Sequence, residues 1–372
     1  MNTPVYPDYR LGSLGLISSI AKYFGAPTGH ETLPAADALL EGSGCRSVVM
    51  YLFDGMSVDA LNRHLPPDSF LRKHLVTDIS ASYPSTTTAA TTTLESGLSP
   101  AEHGWLGWSL YIPELDRQVD LFPNRDSETG EPAADFNVAR HFMPYQSIFS
   151  RINEAGQADA RLLSAFSDPP VEGLEAMRRA VIDTFKSEGR HYLYAYWNDP
   201  DHTMHEEGVN AEGVRTIIRD IDTYIASLAR ELPKDALLLV TADHGLVDAR
   251  DVYIADHPEI RNALIRPPTV EPRAAALYVK DEYKDRFPDM FRQAFGDDFL
   301  LMTGQEAIDK GLFGPGRRHE RLPISAGDFM AFSLNEATLH YKRKEDRELI
   351  GVHAGLTEIE MRVPLIAVRG HQ

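Results

Sequence analysis

An α/β fold with a mostly parallel central sheet and helices on both faces is predicted by three features of this chain. Apolar, β-branched runs recur along its length. Stretches with apolar residues at helical spacing separate them. Carboxylates and histidines gather just after the runs, where open α/β sheets place their sites. The strand-like runs, in order, are RSVVMYLFD (46–54), LVTDISASY (75–83), ARLLSAF (160–166), HYLYAYW (191–197), ALLLVTAD (236–243) and VPLIAV (363–368). VEGLEAMRRAVIDTFKSEG and AEGVRTIIRDIDTYIASLARELP are the clearest helices between them. Continuous apolar strands alternating with amphipathic helices indicate a sheet buried on both faces.

Residues 101–142, rich in Pro, Asp and aromatics, read as a long connection over one face. Residues 268–335 read as a small α+β insertion, with 1–267 and 336–372 forming the main domain. Within and beside the insertion, DEYKDRFPDMFRQAFG and QEAIDKGLF read as helices and DDFLLMTG as a strand. DFMAFSL and ATLHYK read as a strand pair.

The 372 residues carry a formal net charge of −18, which repels nucleic acid and anionic membrane surfaces. The mixed run KRKEDR is expected to be a solvated face. No run approaches the roughly 18 apolar residues needed to span a bilayer. MNTPVYPDYRLGSLG lacks the basic start and apolar core of a secretory signal, and Cys45 is the only cysteine. The expectation is a cytoplasmic protein without a membrane or bulk nucleic-acid partner; the sequence carries no signal for an oligomeric state.

Asp54 ends the first strand and precedes Gly55. Asp243 and His244 end ALLLVTAD, again before a glycine. NDPDHTMHEEG follows HYLYAYW and places Asp201 and His205 four apart, on one face if helical. His353 precedes the last strand, and YPSTTTAATTTLESG follows the second. Singly, a strand-end Asp reads as a helix cap and a lone His as structural. Together they supply three Asp, three His and a hydroxyl at one sheet edge, all types that bind Zn²⁺ or Mn²⁺. Converging carboxylates repel unless cations lie between them. His103 reads as a turn-ordering residue.

Five blocks carry a resemblance: LFDGM, YPSTTTAATTTLESGLSPAEHG, DPDHTMHEEG, VTADHG and GVHAGLTEIEMRVPLI. In order and approximate spacing they resemble the alkaline phosphatase superfamily, and within it the type I phosphodiesterase/nucleotide pyrophosphatase family. The resemblance implies an alkaline phosphatase-like fold and two divalent metal ions, zinc first, with manganese or iron fitting the same ligands. It implies that Asp201, His205 and His353 hold one metal, and that Asp54, Asp243 and His244 hold the other together with Thr87. The family's nucleophile lies ten residues before a glycine that is Gly97 here, which selects Thr87. Thr86 is then expected to help cap the helix. Where many nucleotide pyrophosphatases of the family carry asparagine, this chain has Trp108. Trp105, Trp108 and Tyr196 are expected at the substrate. The implied activity is metal-dependent hydrolysis of small phosphodiesters through a covalent phosphothreonine. The alternatives are a phosphonate or phosphomonoester hydrolase, and a non-catalytic binding protein on a retained fold.

Overall fold

The computed structural model describes residues 3–343 and 349–371. Of KRKEDR, only Lys342 and Arg343 lie within the described residues, and Arg343 pairs with Asp256 at the surface.

The main sheet contains β1 (Ser47–Phe53), β2 (Leu75–Ser80), β6 (Asp159–Leu163), β7 (His191–Trp197), β8 (Ala236–Thr241) and β17 (Arg362–Arg369). All six predicted strands are present, in the order β2-β17-β8-β1-β7-β6. β1 pairs in parallel with β7 and β8, and β7 with β6. β17 runs antiparallel to both its neighbours, β2 and β8. Every residue of β1 and β8 is buried, as continuous apolar runs require when helices cover both faces. The Glu212–Glu231 helix shows how such a cover is built. Val214, Ile218, Ile221, Ile225 and Leu228 recur every three or four residues and all are buried.

A second sheet has seven strands: β3 (Ser109–Ile112), β4 (Arg117–Asp120), β5 (Arg125–Asp126), β11 (Thr269–Glu271), β12 (Ala274–Leu277), β13 (Phe299–Thr303) and β14 (Phe329–Ser333). Its order is β13-β14-β12-β11-β3-β4-β5. The stretch read as a long connection therefore supplies three strands to a sheet whose other four come from 269–333. Two small pairs complete the set: β9 (Val247–Asp248) with β16 (Gly351–Val352), and β10 (Arg250–Tyr253) with β15 (Ala337–His340).

The strand pair expected from DFMAFSL and ATLHYK is not formed. β14 pairs with β12 and β13, and β15 runs parallel to β10. The backbone groups a hairpin would use are engaged elsewhere. Arg273 donates to the carbonyls of Asn335 and Ala337, and the Asn335 side chain accepts from the Ala337 N–H.

Alternation along β12 and β14 joins the sheets. Ala274, Ala276, Met330 and Phe332 face the large main core. Ala275, Leu277, Phe329 and Ala331 face a second core built on Phe287, Phe291 and Phe295 of the Phe287–Phe295 helix. The second sheet is thus packed from both sides, and Val270 of β11 lies in the large main core.

Candidate active site

The carboxyl ends of β1, β7 and β8 and the loop entering β17 meet at one edge of the main sheet. Asp54 follows β1 directly. Gly55 turns the chain at φ +73°, and a Cβ there would lie 2.6 Å from Leu246 Cδ1 and 3.1 Å from Asp201 Cα. Only glycine lets the β1 end approach Asp201 this closely. The Asp201–Glu207 helix brings Asp201 and His205 onto one face, with Asp201 Oδ2 3.2 Å from His205 Nε2. His353 Nε2 is 3.9 Å from Asp201 Oδ1. Ala354, at φ +88°, reverses the chain just after His353.

The other cluster stands beside this one. His244 Nε2 lies 3.4 Å from Asp54 Oδ1 and 3.5 Å from Asp243 Oδ2. Asp243 is oriented by its Oδ1, which accepts the N–H groups of Gly55 (3.1 Å) and His244 (3.0 Å). Thr87 Oγ1 is 3.1 Å from His244 Nε2 and 3.3 Å from Asp54 Oδ2. The rings of His244 and His353 stack at 3.9 Å, which links the two groups. The seven residues expected as ligands or nucleophile are therefore all brought together.

Ligand orientation is built in. His205 Nδ1 lies 2.7 Å from the Gly351 carbonyl, so that nitrogen donates and Nε2 is left toward Asp201. Tyr196 OH donates to Asp54 Oδ2 at 2.6 Å. Asp201 Oδ1 and Asp243 Oδ2 are buried and accept no hydrogen bond. Buried carboxylate oxygens that accept no hydrogen bond are rare, and with only imidazole nitrogens beside them these two fit a cation. Asp201, His205 and His353 form one group whose ligand atoms lie within 4.8 Å of one another, and Asp54, Asp201 and His244 form another. The donors are of the types that hold divalent cations, so the residues fit the metals the fold implies.

Packing three carboxylates together shifts the titration of the whole group. Burial, then the charges of Asp243 and Asp201, push Asp54 well above the usual carboxylate range. Burial also raises Asp243. At Asp201 burial is outweighed by His205, His353 and His244, which hold it down at about 2. Burial disfavours the His205 cation, yet Asp201 beside it raises its pKa. His353 is held well below the usual range by burial and by His244. A cation between them would let Asp54 and Asp243 ionise.

The hydroxyl run opens a helix, Thr87–Ser96, as expected, with Thr86 at the N-cap position. Thr86 does not cap it. Its side chain makes no bond to the helix; Oγ1 donates instead to Glu271 Oε1 at 2.7 Å. Glu271 ends β11 and also accepts the Trp108 N–H at 2.7 Å. It is buried, and burial raises its pKa to about 7 against the hydrogen bonds from Thr86 and Trp108.

The two tryptophans separate. Trp105 is 3% exposed, donates its indole N–H to the Met143 carbonyl and packs against Tyr145 and Phe122, a core position rather than the pocket wall expected for it. Trp108 is 45% exposed and lies edge-on to Phe122. His103 does order its turn: it accepts the Trp105 N–H and lies 3.2 Å from Thr93 Oγ1. Phe166, 81% exposed beside Tyr196, is an open aromatic surface next to the Asp54 side of the site. The signal for it was its place at the end of ARLLSAF. Glu271 carried no such signal.

The sequence profile of the type I phosphodiesterase / nucleotide pyrophosphatase family matches residues 48–353. Comparison with curated proteins gives no match. Among solved structures, murine ectonucleotide pyrophosphatase / phosphodiesterase 5 superposes with a TM-score of 0.66 at 19% identity, over 87% of this chain and 88% of that one. Phosphonoacetate hydrolase from Sinorhizobium meliloti 1021, solved with phosphonoacetate, superposes with a TM-score of 0.62 at 18% identity, over 88% and 91%. At these identities the superpositions establish a shared alkaline phosphatase-like fold. With the profile spanning most of its length, the chain belongs to the type I phosphodiesterase / nucleotide pyrophosphatase family, phosphoryl hydrolases of the alkaline phosphatase superfamily.

Proposed function

We propose that this protein hydrolyses small phosphodiesters, with Thr87 as nucleophile and two divalent cations, zinc first, as cofactors. The observation that carries the reading is the position of Thr87 Oγ1. It lies 3.1 Å from His244 and 3.3 Å from Asp54 at the first residue of a helix, beside two buried carboxylate oxygens that accept no hydrogen bond.

Asp201, His205 and His353 would hold one cation, and Asp54, Asp243 and His244 the other, with Thr87. Divalent cations so placed supply charge to lower the pKa of a hydroxyl and to stabilise a leaving oxygen. Thr87 Oγ1 bonds to phosphorus as the ester P–O bond breaks; its proton passes to solvent, and the ester oxygen leaves as an alkoxide or phenoxide that solvent can protonate. Water then adds to phosphorus as the Thr87 Oγ1–P bond breaks, one of its protons returning to Oγ1 by way of solvent, and a phosphomonoester is released. Thr87, the partly exposed first residue of the Thr87–Ser96 helix, would meet the phosphoryl group at the end of the helix that favours negative charge. Phe166 and Tyr196, and Trp108 beyond Glu271, offer apolar surface to the ester groups.

A phosphonate hydrolase is the second reading, favoured by the likeness to phosphonoacetate hydrolase and by Trp108 in place of an asparagine. The test is turnover of bis-p-nitrophenyl phosphate, p-nitrophenyl phosphate and a p-nitrophenyl phosphonate ester with zinc, manganese or EDTA. Metal-dependent preference for the diester is expected. Preference for the phosphonate ester would select the second reading, and EDTA-insensitive turnover would contradict both.

A further inference from the structure

We propose that Glu360 is a positioning residue for both metal groups: its side chain holds the turn that carries His353, and its backbone carbonyl holds the turn that carries His244. The inference rests on the two-cation reading above and gives a residue of the second sheet, Arg273, a part in the site.

His205 is oriented through its ring, by the Gly351 carbonyl. His353 is not. Its Nδ1 is buried and makes no hydrogen bond, the Ser85 backbone lying beside it outside bonding geometry. The direction of this imidazole is therefore set by its backbone. The next residue, Ala354, is fully buried at φ +88°, a conformation that a residue with a Cβ keeps only where its neighbours fix the chain. Glu360 supplies such a fixture. Its Oε1 accepts the Gly355 N–H at 2.7 Å, and its Oε2 accepts the Thr357 hydroxyl at 2.6 Å. Ser85, two residues before Thr87, donates its hydroxyl to the Gly355 carbonyl at 3.0 Å, so Gly355 is held at both its polar atoms.

The His244 turn is tied to the same short helix, Glu358–Met361. The Glu360 carbonyl accepts the Gly245 N–H at 3.0 Å. A Cβ on Gly245 would collide with the Ile359 carbonyl, so this turn presses on the helix without clearance. The rings of His244 and His353 then meet at 3.9 Å. Glu360 is itself locked in place. It is fully buried, and Arg273, also fully buried, donates to its Oε1 and its Oε2 at 2.8 Å each. Arg273 lies between β11 and β12, and the Asn335 and Ala337 carbonyls accept its remaining bonds.

A buried ion pair can be exchanged for neutral residues of similar volume with little loss of stability, and this separates positioning from charge compensation. Arg273→Met/Glu360→Gln retains a carbonyl for the Gly355 N–H. Arg273→Met/Glu360→Leu retains the volume and removes the acceptor. Both are read by zinc affinity, from competition with a fluorescent chelator fitted for two ions, and by urea unfolding of the metal-free protein. The Gln variant should bind zinc within about threefold of wild type, since the partner of the turn is kept. The Leu variant should bind at least one ion about tenfold more weakly than the Gln variant. That is the low end of the range for an outer partner, about 10–100-fold, because Glu360 acts through the backbone and not on the imidazole. Equal affinities in the two folded variants would overturn the proposal. If the Leu variant does not fold, Glu360→Asp replaces it: the charge stays beside Arg273, but the shorter side chain draws back from the Gly355 N–H. Its affinity for at least one ion should fall about tenfold against wild type, and an unchanged affinity would overturn the proposal. A wild-type protein that binds no divalent cation would overturn it together with the two-cation reading. Zinc bound by wild type and equally by every variant would overturn the positioning role alone.

Discussion

At the residue scale, three side chains of the site are each oriented by a fixed hydrogen-bond partner. His205 is turned by Gly351, Asp243 by two backbone N–H groups, and Asp54 by Tyr196. Tyr196→Phe removes the donor to Asp54 without opening the core, and should weaken metal affinity by about 10–100-fold, the range for removing an outer partner of a ligand. Competition of the metal-loaded variant with a fluorescent chelator checks this. Glu271 gives a pH test in the metal-free protein. Its folded pKa of about 7 exceeds the ordinary 4.5, so folding favours its protonated form. Stability from this group is complete below 4.5 and is lost as pH rises to about 7. Urea unfolding at pH 5 and pH 8 should show Glu271→Gln losing less stability than wild type, by at most on the order of 3 kcal/mol. An equal or larger loss in the variant would contradict the burial of that charge. Glu271 was not legible in the sequence because its contact is with Thr86, 185 positions away. Thr86 itself misled for the same reason: an N-cap threonine predicts a cap, and only the partner strand shows why the hydroxyl is turned aside.

Elements account for what was legible and what was not. β1 and β8 could be read because full burial writes continuous apolar runs, and Asp54, Asp243 and His244 could be placed because they follow those runs directly. β3, β4 and β5 could not. RQVD and the two-residue β5 are short and polar, and β11, the strand that β3 pairs with, lies far along the chain. The β14–β15 hairpin failed on a side chain, since Arg273 takes the carbonyls of the turn. Arg273 also anchors the loop behind His353, because its partner Glu360 accepts the Gly355 N–H at 2.7 Å and the Thr357 hydroxyl at 2.6 Å. Arg273→Met leaves Glu360 buried and uncompensated, and should cost about 3–5 kcal/mol of unfolding free energy. Chemical denaturation of the metal-free protein measures it. A change under 1 kcal/mol would show that this pair does not hold the loop.

Across the whole molecule, the excess of acid is concentrated to effect at the sheet edge. Burial and mutual repulsion raise Asp54 and Asp243, and divalent cations would relieve both. Metal loading should therefore stabilise the fold, by about 2.7 kcal/mol at a hundredfold excess over Kd. Thermal unfolding with EDTA and with added zinc should differ accordingly, and identical midpoints would argue against ions at this edge. Among the described residues no helix is long and apolar enough to cross a membrane. The bulk charge of −18 does not suit an anionic substrate; two divalent cations at this edge would reverse the sign locally.

The central claim is that Thr87 attacks phosphorus, and the turnover number of Thr87→Ala on bis-p-nitrophenyl phosphate, measured at verified full metal content, tests it most directly. A fall of at least about a thousandfold with metal and fold retained is the predicted result. Turnover within about tenfold of wild type would contradict it, since no positioning role of a single hydroxyl explains a nucleophile that can be deleted.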